Sequence, residues 1–220
     1  MELNKFIDHT LLKATATISE IKNLCNEAKE HNFFSVCVNS SYVKLAKKEL
    51  KNSEVKVCSV IGFPLGGMSG KAKVFEAKRA IKDGADEIDM VINVGLLKSK
   101  KYRKVSREIR SVKKIMPKKV LKVILETCFL SEEEIIKASE LALSAKADFI
   151  KTSTGFGTRG ASVEDVKLMK TVAGDKMKIK ASGGIKDFKT AQEYIALGVS
   201  RLGTSSGIAI VSGTESKADY

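Results

Sequence analysis

Asp83-Gly84-Ala85-Asp86-Glu87-Ile88-Asp89-Met90-Val91-Ile92 is the stretch that decides the fold. Glycine after a helical pattern stops the helix, an aspartate follows, and a short apolar run then reads as a strand. Lys146-Ala147-Asp148 precedes Phe149-Ile150-Lys151 in the same way, and Leu197-Gly198-Val199 holds that position ahead of Arg201. Outward from these turns, Val- and Ile-rich runs alternate with amphipathic segments along the chain, which is the pattern of parallel βα units. Strands are expected at 6–8, 33–38, 55–61, 87–92, 121–126, 148–152, 177–181 and 201–203. Helices are expected to begin near Ser19, Ser40, Lys71, Tyr102, Ser131, Ser162 and Asp187. Ser131 with Glu134, and Ser162 with Asp165, have the serine-then-acid spacing that caps a helix start. Eight such units fit an α/β fold of the closed (β/α)8 TIM-barrel type better than an open doubly wound sheet, which usually has fewer strands.

The 220 residues carry no linker or low-complexity tract and two prolines, Pro64 and Pro117, so 1–220 reads as a single domain with a flexible polar tail at 212–220. The amino end has neither a basic segment nor a long apolar run, and no stretch approaches the length that spans a bilayer, so a cytoplasmic protein without membrane contact is expected. Cys25, Cys37, Cys58 and Cys128 are scattered with no Cys-x-x-Cys, and His9 and His31 are the sole histidines. Free thiols are expected, with neither a metal nor a cofactor. The net charge of +13 raises a basic nucleic-acid-binding module as an alternative to an enzyme. Its lysines are mixed with glutamates on helices and loops, and no aromatic residues are interleaved for base stacking, so nucleic acid is not an expected partner.

Strands covered on both faces should be nearly unbroken apolar runs. Here Asp89, Lys122, Glu126, Lys151 and Lys180 interrupt or end them. Side-chain alternation puts Lys122 on the face of Glu126, Lys178 on that of Lys180 and Glu87 on that of Asp89. Lys178 and Glu87 come early in their strands and are placed at the opposite rim. Buried charges persist where they are paired or useful, and the late positions fall where barrel enzymes hold their chemistry. A lysine amine, ordinarily near a pKa of about 10.4, becomes a nucleophile when desolvation or a neighbouring cation brings it toward roughly 7 to 8. Lys180 beside Lys151 could supply that cation, and the neutral amine of Lys151 could then form a Schiff base with an aldehyde. Carbon–carbon bond cleavage without a metal is the chemistry this allows.

Ser182-Gly183-Gly184 and Gly203-Thr204-Ser205-Ser206-Gly207 follow the last two strands, where barrels commonly hold a phosphate on loop amides. Gly155, Gly157 and Gly160 spell G-x-G-x-x-G, yet the next strand carries Lys180 where a dinucleotide site needs an acid. Gly70-Lys71 fails the phosphate-loop pattern, since Leu65 stands at the first glycine position and Ala72 after the lysine.

Together, Glu87-Ile88-Asp89-Met90-Val91, Leu121-Lys122-Val123-Ile124-Leu125-Glu126-Thr127, Lys151-Thr152-Ser153-Thr154-Gly155 and Lys180-Ala181-Ser182-Gly183-Gly184 resemble the deoxyribose-phosphate aldolase family. The resemblance spans essentially the whole chain, including Ile7-Asp8-His9-Thr10 and Gly62-Phe63-Pro64-Leu65-Gly66. It implies reversible cleavage of 2-deoxy-D-ribose 5-phosphate to D-glyceraldehyde 3-phosphate and acetaldehyde, in deoxynucleoside breakdown. It makes Lys151 the Schiff-base residue, Lys180 the neighbouring cation, Asp89 a proton-transfer group working with water, and Lys122 part of a supporting network. Gly155, Gly183, Gly184, Gly203, Ser205 and Ser206 would hold the substrate phosphate. Phe156-Gly157-Thr158-Arg159 and Ser182 depart from the usual family pattern. Asp8 and Cys37 are further candidates for the supporting network, and Tyr220 is a candidate proton donor folded over the pocket. Another Schiff-base barrel aldolase or a transaldolase is the nearest alternative, and a homodimer is compatible with the sequence.

Overall fold

A computed structural model describes residues 2–214. Eight strands, β1 (Ile7–Leu11), β2 (Ser35–Val38), β3 (Lys56–Ile61), β4 (Glu87–Val91), β5 (Val120–Ile124), β6 (Phe149–Lys151), β7 (Lys178–Ser182) and β8 (Arg201–Thr204), close in sequence order into a barrel. Every neighbouring pair is parallel, and β8 returns to β1 with Asp8 opposite Gly203. Around them lie α1 (Ile18–Glu30), α2 (Val43–Glu49), α3 (Gly70–Asp83), α4 (Val94–Lys98), α5 (Tyr102–Lys114), α6 (Glu132–Ser144), α7 (Val163–Ala173), α8 (Phe188–Ala196) and α9 (Gly207–Val211).

All eight expected strands are present, with ends that either coincide with the expected ones or lie up to three residues away. β1 starts at Ile7 because Phe6 closes a 3-10 turn, and it runs on to Leu11. β5 stops at Ile124 because Glu126 adopts a left-handed backbone with φ 57°. Local chemistry sets the helix starts. Ser131 and Glu134 form a full capping box, as do Thr17 and Glu20, and Ser69, Ser162 and Asp187 each accept an amide of the first turn. The short α4, held by Asn93 accepting from the Leu96 amide at 2.9 Å, was not expected from periodicity, because five residues are too few to display it.

The repeated aspartate before a strand has a physical role. Asp86 accepts the Val57 amide at 3.0 Å, and Asp148 accepts the Leu121 amide at 2.8 Å. Each carboxylate thus ties the strand it introduces to the start of the preceding one, and each also holds a lysine, Lys47 or Lys113.

Outward-facing residues such as Ile7, Val36, Val57, Ile88, Val123, Ile150, Ile179 and Leu202 pack under the helices in the main core. Inside the barrel, apolar packing is confined to one side, where Leu12, Cys37, Cys58 and Val60 meet Phe63. Most of the rest of the interior is charged, with the Phe149 ring beside Lys122 and Arg201. No helix among the described residues is long and apolar enough to cross a membrane, and the four cysteines are free.

Asp148→Ala is expected to lower stability by about 1.5 kcal/mol, the usual worth of a hydrogen bond to a charged group. Asp148→Asn, which keeps an acceptor, should lose less. Urea unfolding of both variants checks the order.

Candidate active site

Register brings the inward charges together. In adjacent strands Asp89 lies opposite Lys122, Lys151 opposite Lys180, and Lys180 opposite Arg201. Side chains at these positions share the interior because each is an even number of residues from its inward neighbours along the strand. Gly203 completes the arrangement by having no side chain: a Cβ there would lie 2.9 Å from Lys180 Cε.

Asp89 is the hub. Its Oδ1 accepts from Lys122 Nζ at 2.8 Å and from the Cys58 thiol at 3.1 Å. Its Oδ2 accepts from Lys151 Nζ at 3.0 Å and from Lys180 Nζ at 2.9 Å. Asp8 is the second anchor, accepting from Lys180 at 2.5 Å, from Ser35 at 2.7 Å and from Arg201. Glu87 closes the circuit, lying 2.5 Å from both Arg201 and Lys122. Beneath them the Arg201 guanidinium stacks 3.2 Å from the centre of the Phe34 ring.

Two expectations about these charges are corrected. Glu87 does not sit out at the opposite rim: it points inward, 4% exposed, because its strand partners Cys58 and Val120 already lie within the wall. Glu126 does not share the lysine face of β5, since the left-handed turn swings it out of the strand to accept the Thr154 amide at 3.1 Å and the Thr154 hydroxyl. Lys178 is exposed at the amino-end rim, as expected. Arg201 was not singled out from the sequence. The available signal was a guanidinium two residues before Gly203 in a strand that must alternate inward.

Burial by itself would raise the Asp89 carboxyl, but Lys122, Lys180 and Lys151 outweigh it and hold the group well below the ordinary carboxylate range. Asp8 follows the same logic, with burial opposed by Arg201, Lys180 and Lys122. Burial likewise works against the charge on Lys180, and Asp8 and Asp89 overcome it, so Lys180 stays a cation far into alkali. Lys122 is raised in the same way, against burial, chiefly by Asp89. Cys37 lies on the interior face against Cys58, whose hydrogen bond lowers the Cys37 thiol against the effect of burial. Its link to Asp89 runs through Cys58, whose own thiol is pushed up by burial first and by Cys37 next.

Lys151, 2% exposed, stands at the carboxyl end of β6. Two residues on, Ser153 is buried, and its hydroxyl has no hydrogen-bond partner among the described residues. The glycines and serines expected at a phosphate gather at the carboxyl ends of β6, β7 and β8. Gly155, Gly183 and Gly184 have positive φ of 91°, 83° and 77°, a backbone that side chains rarely adopt. Ser205 and Ser206 lead into α9. The G-x-G-x-x-G stretch is explained by packing: a Cβ on Gly160 would lie 2.1 Å from the Gly183 carbonyl oxygen, and one on Gly157 would lie 2.5 Å from Cys128 Sγ. These glycines let the β6 loop press against its neighbours. Phe156 meets Phe63 edge to face at 5.3 Å on the same rim. Tyr220 lies outside the described residues.

A closed parallel barrel with buried amines gathered around one carboxylate below its carboxyl-end mouth defines the class, that of the barrel aldolases. The model of the DeoC/LacD family aldolases matches residues 3–213, and the chain belongs to that family. It is 59% identical over 213 residues to the deoxyribose-phosphate aldolase of Finegoldia magna, covering 97% of this chain and 100% of the relative. With the deoxyribose-phosphate aldolase of Carboxydothermus hydrogenoformans it shares 56% identity over 223 residues, covering 100% of this chain and 98% of the relative. Among solved structures, a tetrameric deoxyribose phosphate aldolase from Aeropyrum pernix superposes with a TM-score of 0.89 at 32% identity, covering 96% of this chain and 89% of that one. The aldolase QR15 does so with a TM-score of 0.92 at 47%, covering 96% and 94%. Membership in an aldolase family sets aside a purely nucleic-acid-binding role.

The carboxyls of Asp8 and Asp89 are depressed relative to an unfolded value near 3.8, so their stabilisation is present above about pH 4 and lost as pH falls below it. Lys122 and Lys180 are raised above 10.5, so theirs is complete below that pH and lost only in strong alkali. The urea midpoint should therefore be level from about pH 5.5 to about pH 9 and drop steeply below about pH 4. A midpoint at about pH 3 equal to that at neutrality would contradict the network.

Proposed function

We propose that this chain reversibly cleaves 2-deoxy-D-ribose 5-phosphate into D-glyceraldehyde 3-phosphate and acetaldehyde, with Lys151 as the Schiff-base residue. One observation carries the assignment of Lys151: the charge count in the barrel. Three carboxylates, Asp8, Glu87 and Asp89, face four basic side chains, Lys122, Lys180, Arg201 and Lys151. A desolvated cluster favours neutrality. Lys122, Lys180 and Arg201 balance the three anions, so neutrality leaves Lys151, at the carboxyl end of β6, as the free amine.

In this reading the Lys151 amine adds to C1 of the open-chain sugar and water leaves, giving an iminium. The 3-hydroxyl gives up its proton, and the C2–C3 bond breaks with its electron pair flowing into the iminium. D-Glyceraldehyde 3-phosphate departs. The enamine left on Lys151 is protonated at C2, and water then hydrolyses the imine to acetaldehyde and regenerates the amine. Asp89, with four donors upon it, is a fixed anion that orients the amine and can pass a proton on through water, but not a standing acid. Lys180, a permanent cation beside Lys151, disfavours a second charge there. Gly155, Gly183, Gly184, Gly203, Ser205 and Ser206 form the proposed phosphate cradle, and the buried hydroxyl of Ser153 is placed to meet the sugar. Lys122, Asp8 and Cys37 support the network. The free thiols suit a reducing cytoplasm, and the family relatives named for this substrate favour it over that of another Schiff-base aldolase or a transaldolase.

Aldol cleavage of 2-deoxyribose 5-phosphate, followed as acetaldehyde release, should be lost by at least about a thousandfold in Lys151→Ala. Lys180→Met should fall by about 10²–10⁴-fold, with its optimum moved to higher pH. Full activity in Lys151→Ala would refute the mechanism, and an unshifted pH profile in Lys180→Met would refute the cation's role.

A further inference from the structure

The chain's six arginines divide cleanly. Arg79 holds Asp83, Arg159 holds Asp165, and Arg201 holds Asp8 and Glu87. The other three, Arg103, Arg107 and Arg110, all lie on α5, and none has an ion pair among the described residues. All three are exposed and line one cleft of about 520 Å³ on the outside of the barrel, between α5 and α6.

Lys114 continues the line, so cations recur at intervals of four, three and four residues. At 3.6 residues per turn these positions share one face, and at 1.5 Å per residue they extend over about 16 Å, with a charge roughly every 5 to 6 Å. The hydroxyls of Ser106 and Ser111 flank the line, Leu141 of α6 forms the far wall, and no carboxylate among the described residues lines the cleft. Glu108, the one acid of α5, is turned away to pair with the buried Lys73. Several lysines elsewhere on the surface meet acids, as in Lys13–Glu20, Lys47–Asp86 and Lys98–Glu134.

We propose that this cleft is a second binding site, separate from the barrel mouth, for a linear chain of phosphates. A guanidinium binds phosphate through two parallel hydrogen bonds, and three of them spaced along a line fit a repeating anion better than a single compact one. One aromatic ring, Tyr102, stands at the end of the line, so the site reads phosphates and not bases. The shared chemistry is that of a single-stranded nucleic-acid backbone and of inorganic polyphosphate. The proposal does not depend on the assignment of the barrel chemistry, and it gives part of the +13 charge a use beyond solvation.

The test is fluorescence anisotropy of a short labelled oligothymidylate with the full chain. Four phosphate contacts give a salt slope of about −2.8, or about a fiftyfold weakening between about 50 and 200 mM salt. Arg107→Glu with Arg110→Glu should abolish binding and leave aldol cleavage unchanged, which also shows that the variant folds. Lys44→Glu with Lys48→Glu, the same charge change on exposed residues of α2, should leave binding intact. An equal loss in that control would reduce the effect to net charge and overturn the site. Displacement by inorganic polyphosphate at matched phosphate concentration is the expected result, and resistance to it would overturn a site that reads phosphates and not bases. Displacement by polyglutamate at the same charge concentration would overturn the phosphate assignment.

Discussion

A carboxylate sealed inside a barrel stays ionised only if donors replace the water it has lost, and Asp89 has four of them on two oxygens. Everything else in the interior follows from that requirement. Lys122 and Lys180 must be charged to hold Asp89, and their own burial then demands Asp8 and Glu87, whose remaining oxygens demand Arg201. The chain of pairings stops at Lys151, which has Asp89 as its one ion-pair partner among the described residues and stands at the carboxyl end of its strand. A buried ion network adds little to stability compared with an apolar core of the same volume. Its retention here fits a catalytic use: it fixes the position of one amine and leaves that amine without a counter-charge of its own.

The fold was legible because its signals are local and repeated. Aspartates at 86 and 148 announced strands that they bind directly, and Ser131 and Ser162 marked helix starts that they cap. The inward charges at Asp89, Lys122, Lys151 and Lys180 stood out against apolar neighbours. Glu87 and Arg201 did not, since residues at the first position of a strand read as rim residues until the stagger of the barrel is known. Their partnership spans 114 positions of sequence, and only closure of β8 onto β1 brings the two ends of the chain together. Glu126 misled for a different reason: alternation holds only while the backbone stays extended, and φ 57° ends it.

The rim shows what glycine contributes to such a site. Gly160 and Gly183 allow the loops after β6 and β7 to pack backbone to backbone, and Gly203 leaves room for Lys180 in the barrel wall. A sequence motif that resembles a dinucleotide fingerprint is thereby accounted for by steric contact between loops. Arginine shows a similar division between structure and surface. Inside, Arg201 has carboxylates and an aromatic ring, while the arginines of α5 face solvent with no ion pair among the described residues.

The central claim is that charge balance in the barrel leaves Lys151 as the reactive amine among many lysines. Peptide mapping by mass spectrometry after incubation with acetaldehyde and borohydride at neutral pH tests it most directly. A single two-carbon adduct on the peptide containing Lys151 is the expected result. An adduct on Lys180, or modification spread across the surface lysines with Lys151 untouched, would contradict it.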